Sequence, residues 1–233
     1  MRERLFQYRL KAAKSEKTPP WEDVHIDKVL KKLKADKAKD ANNLVNEMFM
    51  IDNIGSDLKK SLKILLNKMK TQFIAPAFVN QSNIFSLYKG KNDRASLEND
   101  RGIFIMSIIR MIRDKLNYND IIKTIDSSMS DSQIGSRPGK NIRNHLFILN
   151  SIIHEALKKK IPIDIEVMDV QKCFDSLDLV ECCNNLYEYG VTDDRLALLY
   201  EGMRENDLAI NTPVGQTKRM PIPDIVGQGG ALH

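Results

Sequence analysis

The sequence predicts an α+β fold, mostly helical with short antiparallel strands. Three observations predict it. Several stretches repeat apolar residues at spacings of three and four, the mark of one helix face packed on a core. Ile161, Ile163, Ile165 and Val167 share a two-residue period, the mark of a strand with one buried face. A later run, "DLAINTPVGQTKRMPIPDI", alternates around Pro213 and Gly215 as a hairpin does.

The elements follow in order. The first 20 residues, "MRERLFQYRLKAAKSEKTPP", are charged throughout and lack the apolar centre of a secretory signal. With the next three they form a basic extension, 1–23. Ile26, Val29, Leu30 and Leu33 then hold helical spacing, and Leu58, Leu62, Leu65, Leu66 and Met69 make a second amphipathic helix. Residues 71–88 mix apolar and polar positions around Pro76 and read as short strands or a hairpin. "LYKGKNDRASLENDRG" (87–102) reads as a charged loop, and "IFIMSIIRMIRDKL" as a buried helix. "SSMSDSQIGSRPGKN" is a loop rich in Ser, Gly and Pro. Ile142, Leu146, Leu149, Ile153 and Leu157 form the next amphipathic helix, which ends in Lys158-Lys159-Lys160, charges that suit a helix C-terminus. After the strand at 161–168, Leu179 to Tyr187 give another helix with Gly190 as its C-terminal cap. A last helix starts at Asp193 or Asp194 and runs through Met203.

Composition bounds the function. The chain has 233 residues, 42% hydrophobic and 29% charged, with a net charge of +5. That excess of basic residues is compatible with a polyanionic partner and does not require one. No apolar run approaches the roughly 20 residues that span a bilayer. The expectation is an intracellular protein, nuclear or cytoplasmic, with no membrane partner. Cys173, Cys182 and Cys183 show no zinc-ligand spacing and read as reduced, partly buried thiols.

One residue breaks the pattern. Asp169 falls on the apolar phase of the 161–167 run. A carboxylate at the end of a buried face is costly unless something pairs with it. A divalent metal supplies such a partner, and so does a hydrogen-bonded cap on the following turn.

The order of motifs resembles the fingers and first half of the palm of a reverse transcriptase, of the non-LTR (LINE-type) retrotransposon kind, with group II intron enzymes as more distant relatives. "KLKADKAKDANNLVNE" (32–47) looks like the segment that precedes the fingers, with Lys39-Asp40 in place of the usual Gly-Asp. "FSLYKGKNDRASLENDRGIFIMSIIRMI" looks like the fingers. "SQIGSRPGKNIRNHLFILNSI" is similar to the family's Gln-x-Gly-Phe-Arg-x-Gly segment, with Ser136 where Phe is usual. "MDVQKCFDSL" matches the first palm motif, with Cys173 for the common Ala, and "IVGQGGALH" the Gln-Gly segment that opens the next palm helix. Each fragment alone is weak. Five in sequence order are specific.

The resemblance implies a chemistry. Nucleotidyl transfer uses two divalent metals about 4 Å apart, and Mg²⁺ takes oxygen ligands from carboxylates and substrate phosphates. Asp169 would be the first metal-binding aspartate, with the backbone carbonyl of Val170 beside it. Phe174 would lie beneath the sugar of the incoming dNTP and exclude a 2′-hydroxyl, which speaks against an RNA-dependent RNA polymerase; a core Phe is the other reading. Asp175 is expected to cap the following helix. Lys89 and Arg101 would hold the triphosphate, Gln228 and Gly229 would line the nucleotide pocket, and Arg137, Gly139 and Lys140 would contact the template backbone. The partners implied are an RNA template, a DNA primer or target DNA, and dNTPs. The implied division is fingers over 24–160 and partial palm over 161–233.

The family's aromatic-x-Asp-Asp sequence is absent from the chain. Asp193-Asp194 is the sole adjacent Asp pair, and it precedes the Gln-Gly segment, the wrong order. The expectation is an N-terminal portion of a longer polymerase, inactive by itself. A non-catalytic RNA-binding remnant of a retroelement is the alternative. An unrelated α+β protein with chance matches is the third reading.

Overall fold

The computed structural model describes residues 18–90, 99–135, 137–170, 177–212 and 214–223, with Gln7 and Lys11. Helices α1 (Asp23–Leu30), α2 (Ser56–Gln72), α3 (Ile108–Ile125), α4 (Ile142–Lys159), α5 (Leu179–Glu188) and α6 (Asp193–Arg204) accompany strands β1 (Gln81–Tyr88), β2 (Asp100–Met106), β3 (Glu205–Thr212), β4 (Gly215–Gln216) and β5 (Met220–Pro223). The α+β expectation holds at that level. No helix among the described residues is long and apolar enough to cross a membrane.

The core forms where the helical spacing placed it. Ile26, Val29 and Leu30 of α1 meet Leu62, Leu66 and Met69 of α2 and Ile108, Ile112 and Leu116 of α3. Trp21 closes this cluster. Its indole N–H donates to Asp120 at 3.0 Å, so the ring is buried with its polar atom satisfied. A second cluster joins Ile121 of α3 to Leu179, Val180 and Cys183 of α5 and Leu196, Leu199 and Tyr200 of α6. Burial pushes the Cys183 thiol up to about 12. That is the inert, protonated state expected of it; Cys173 lies outside the described residues.

Two arginines of α3 are buried in the core, and one of them reaches the sheet. Arg113 of α3 is fully buried and donates from Nε and Nη2 to Asp114 at 2.9 and 2.8 Å. Arg110 donates to Asn206, the second residue of β3. Carboxylate and amide oxygens replace part of the water each guanidinium gives up, while Arg110 Nε and Arg113 Nη1 are buried without a hydrogen-bond partner.

The sheet departs from the expected antiparallel strands. β1 pairs β2 antiparallel, from Ser82↔Met106 to Tyr88↔Asp100. β1 pairs β3 in parallel, from Gln81↔Asp207 to Phe85↔Asn211. β4 and β5 both pair β3 antiparallel on its other edge. The sheet is therefore mixed. Its parallel pair is joined by a crossover containing α3 to α6, which sequence periodicity cannot reveal because the partners lie over a hundred residues apart in the chain. The expected hairpin around Pro213 and Gly215 is present as β3 with β4 and β5.

Three local boundaries also move. The strand or hairpin expected over 71–88 becomes the end of α2, a 3-10 turn at Ala77–Asn80 and β1. Residues 103–106, expected in a helix, belong to β2, and the helix starts only at Ile108. Apolar runs without a clear period are ambiguous in this way. The loop expected over 87–102 is shorter, because both strands run into it and Lys89 N–H still donates to Asn99 at 2.9 Å.

The largest correction concerns 161–170. The segment has no regular secondary structure and pairs with no described strand. Its expected buried face is open: Ile165 is 54% and Val167 88% exposed. Period two states which residues would share a face, but a strand exists only with a ladder partner. The helix before it, α4, is formed as expected, capped by Asn141 through Arg143 N–H. Of its residues only Ala156 is buried, so its apolar stripe faces outward.

Candidate functional site

The basic pair Lys89 and Arg101 is brought together by strand register. Leu87 stands opposite Arg101, and the Lys89–Asn99 hydrogen bond continues that ladder by two residues. Side chains alternate along a strand, so Lys89 shares a face with Leu87 and hence with Arg101. The two are diagonal neighbours, with Cα atoms about 7–8 Å apart by sheet geometry. Both are exposed. A planar fork beside a point charge at that spacing can grip one polyphosphate from two sides.

The loop before α4 is held by Arg137. Its Nε donates to the Asp126 carboxylate at 2.7 Å, and its two Nη groups donate to the carbonyls of Asp126 and Ser130, both at 2.8 Å. The side chain is 6% exposed, so in this arrangement its donors serve the fold. Lys140 pairs with Asp131 at 2.9 Å at the surface. That hydrogen bond, with the charges of Lys140 and Arg137, holds the Asp131 carboxyl below its usual range. Gly139 has φ +75° and open space around it, a conformation that favours glycine.

Asp169 and Val170 lie on the exposed 161–170 segment. Among the described residues no three His, Cys, Asp or Glu side chains gather as a metal site. Phe174, Gln228 and Gly229 lie outside the described residues, as does Asp175. The cap of α5 is Asp178 instead, which accepts from Val180 and Glu181 N–H at 2.8 and 3.1 Å. The helix starts at Leu179 as expected, and only its capping residue differs, Asp178 in place of Asp175, because both aspartates precede the same apolar face.

Two further polar groupings escaped the sequence reading. Arg219 donates to Asn83 at 3.0 Å and to the carbonyls of Ser82 and Asp207. It ties the chain before β5 to β1 and β3, and no local pattern announces it. Lys32, Lys34 and Lys37 gather with Lys115 around one cleft. The K-x-K-x-x-K spacing was visible in the sequence, but Lys115 joins it only through the fold.

No protein-family model matches the chain, and no curated protein matches it. The likeness to reverse transcriptases thus rests on the five ordered motifs.

Proposed function

We propose that the chain is the fingers and first part of the palm of an RNA-directed DNA polymerase, a reverse transcriptase of retrotransposon type. The observation that carries the reading is the register of β1 and β2. It sets Lys89 and Arg101, the two positions that the motif match assigns to the triphosphate, side by side on one sheet face. The other support is the order of the motifs along the sequence.

In this reading the template strand and primer end approach the hairpin mouth, and a dNTP places its phosphates on Lys89 and Arg101. Magnesium is bound in such sites by one or two carboxylates together with substrate phosphates. The exposed Asp169 carboxylate and Val170 carbonyl suit one share of that ligand set and leave the rest to other groups. The metal would supply charge neutralisation at the reacting phosphate. This chain's own residues bind and orient the triphosphate.

A second reading, a remnant that holds RNA without chemistry, shares every one of these residues with the first. One experiment separates the readings. The chain is titrated with a fluorescent RNA–DNA primer-template, with and without dNTP, at rising salt. Polymerase ancestry predicts binding that weakens with salt and tightens with the dNTP complementary to the next template base. That tightening is lost in Lys89→Ala and Arg101→Ala. Binding indifferent to dNTP supports the remnant. Absence of salt-dependent binding overturns both.

A further inference from the structure

Between the end of α1 and the start of α3 lies a cleft of about 390 Å³, within the roughly 300–1,000 Å³ of small-molecule sites. Lys32, Lys34, Lys37 and Lys115 stand around it, and no Asp or Glu lines it. None of the four lysines has an ion pair among the described residues. The rest of the wall is apolar, with Leu33, Phe104, Met106 and Met111 among its members.

The walls are built rather than accidental. The loop from α1 carries three of the lysines and is pinned at several points. Asp40, buried, accepts from Asn42, Leu44 and Ile108 N–H. Asn46 donates to the Lys34 carbonyl at 2.8 Å, and Asp36 N–H donates to Glu47 at 2.6 Å. These contacts occupy the loop's own carboxylates, Asp40 and Glu47, with backbone amides. Asp36 lies between Lys34 and Lys37 in the loop but does not line the cleft, so the lysines present the only charged side chains on its wall among the described residues. Lys115, half-buried on α3, shows the consequence: burial, then the charges of Lys32 and Lys34, weaken its hold on its proton.

We propose that this cleft binds an organic polyphosphate of nucleotide size, with the phosphates on Lys32, Lys34, Lys37 and Lys115 and the organic body against Phe104 and the methionines. Several ammoniums around one concavity match an anion carrying several charges. An aromatic ring and polarizable thioethers suit a flat heterocycle better than water. The cleft is separate from the Lys89–Arg101 pair. Along β2, Phe104 is three residues from Arg101 and Met106 is five, about 10 and 17 Å at strand rise. The proposal does not depend on the polymerase reading.

The test is calorimetric titration of the full chain with ATP in EDTA, beside tripolyphosphate and a short single-stranded oligonucleotide. ATP is expected to bind at least about fivefold tighter than tripolyphosphate, the share of the apolar wall. Lys34→Glu and Lys115→Met are each expected to weaken ATP about tenfold or more. Lys60→Glu, the same charge change on the exposed face of α2, is expected to change it less than about twofold. Circular dichroism confirms that each variant is folded. Each of these results overturns the proposal: no ATP binding; equal losses in Lys60→Glu; tripolyphosphate binding as tightly as ATP; or an oligonucleotide that binds where ATP does not. Loss through Lys89→Ala with Lys34→Glu unaffected would assign the nucleotide to the hairpin and also overturn it.

Discussion

The carboxylate of Asp40 accepts a hydrogen bond from the backbone N–H of Ile108, 68 residues away, at 3.0 Å. Ile108 opens α3, whose N-cap residue Ser107 makes no side-chain cap bond. The helix is therefore capped from a distant loop. Asp40 also accepts from Asn42 and Leu44 N–H at 2.8 and 2.9 Å. One carboxylate thus fixes both the loop that carries the lysines and the helix that faces them. Negative charge at a helix N-terminus adds a favourable interaction with its dipole.

Asp40→Ala should accordingly destabilise the chain by about 2–4 kcal/mol, since it strands three amides, one of them at a helix start. Asp40→Asn keeps an acceptor and should lose about half as much. Urea unfolding followed by circular dichroism reads both. A midpoint for Asp40→Ala equal to wild type would show that the cap is dispensable.

Gly202 of α6 faces the buried guanidinium of Arg113, and a Cβ added there would run into Nη2. Arg113 is not free to swing away, because Asp114 holds it through two hydrogen bonds. Gly202→Ala would normally favour a helix. Here overpacking should outweigh propensity, with a net loss of about 1–3 kcal/mol. The double change Gly202→Ala with Arg113→Met should recover part of it, and an additive double mutant would sink this account.

Asp194, buried at the start of α6, predicts a pH dependence. Burial raises its carboxyl, but hydrogen bonds from Thr18 and Thr192 outweigh burial and hold it below its ordinary value of 3.8. The folded state therefore binds this proton less readily than the unfolded chain. The stabilisation is complete above the unfolded value and is lost as pH falls through the folded one. Wild type should lose more stability than Asp194→Asn as pH falls from 5 to 3. Parallel curves for the two proteins would exclude the coupling.

Local signals reached as far as local physics allows. The spacings of Ile26–Leu33 and Leu58–Met69 became α1 and α2 because one apolar face suffices to define a core helix. Lys89 and Arg101 were legible as basic residues, whereas their adjacency depends on the register of β1 with β2. The parallel pairing of β1 with β3 was not legible, since no periodicity encodes which strand lies beside which. The same limit explains 161–167. Alternation marked Ile161, Ile163, Ile165 and Val167 as one face, but no described strand stands beside them to form a ladder. The Asp40 cap was hidden for a related reason, because its partner Ile108 lies far along the chain.

The outward stripe of α4 yields a contrast between two apolar residues of similar appearance in sequence. Phe147 is 73% exposed, and Leu66 of α2 is fully buried. Truncating Leu66 to Ala removes packed contacts and leaves a cavity, for a loss of about 2–5 kcal/mol. Phe147→Ser removes no packed contact and should change stability by less than about 0.5 kcal/mol. It should nonetheless reduce binding of a hydrophobic dye such as ANS, because it deletes a large part of an exposed apolar surface. Unfolding curves and dye fluorescence on the same two variants read both effects. A loss above about 2 kcal/mol for Phe147→Ser would mean that the α4 face is packed in solution, and the outward stripe would have to be abandoned.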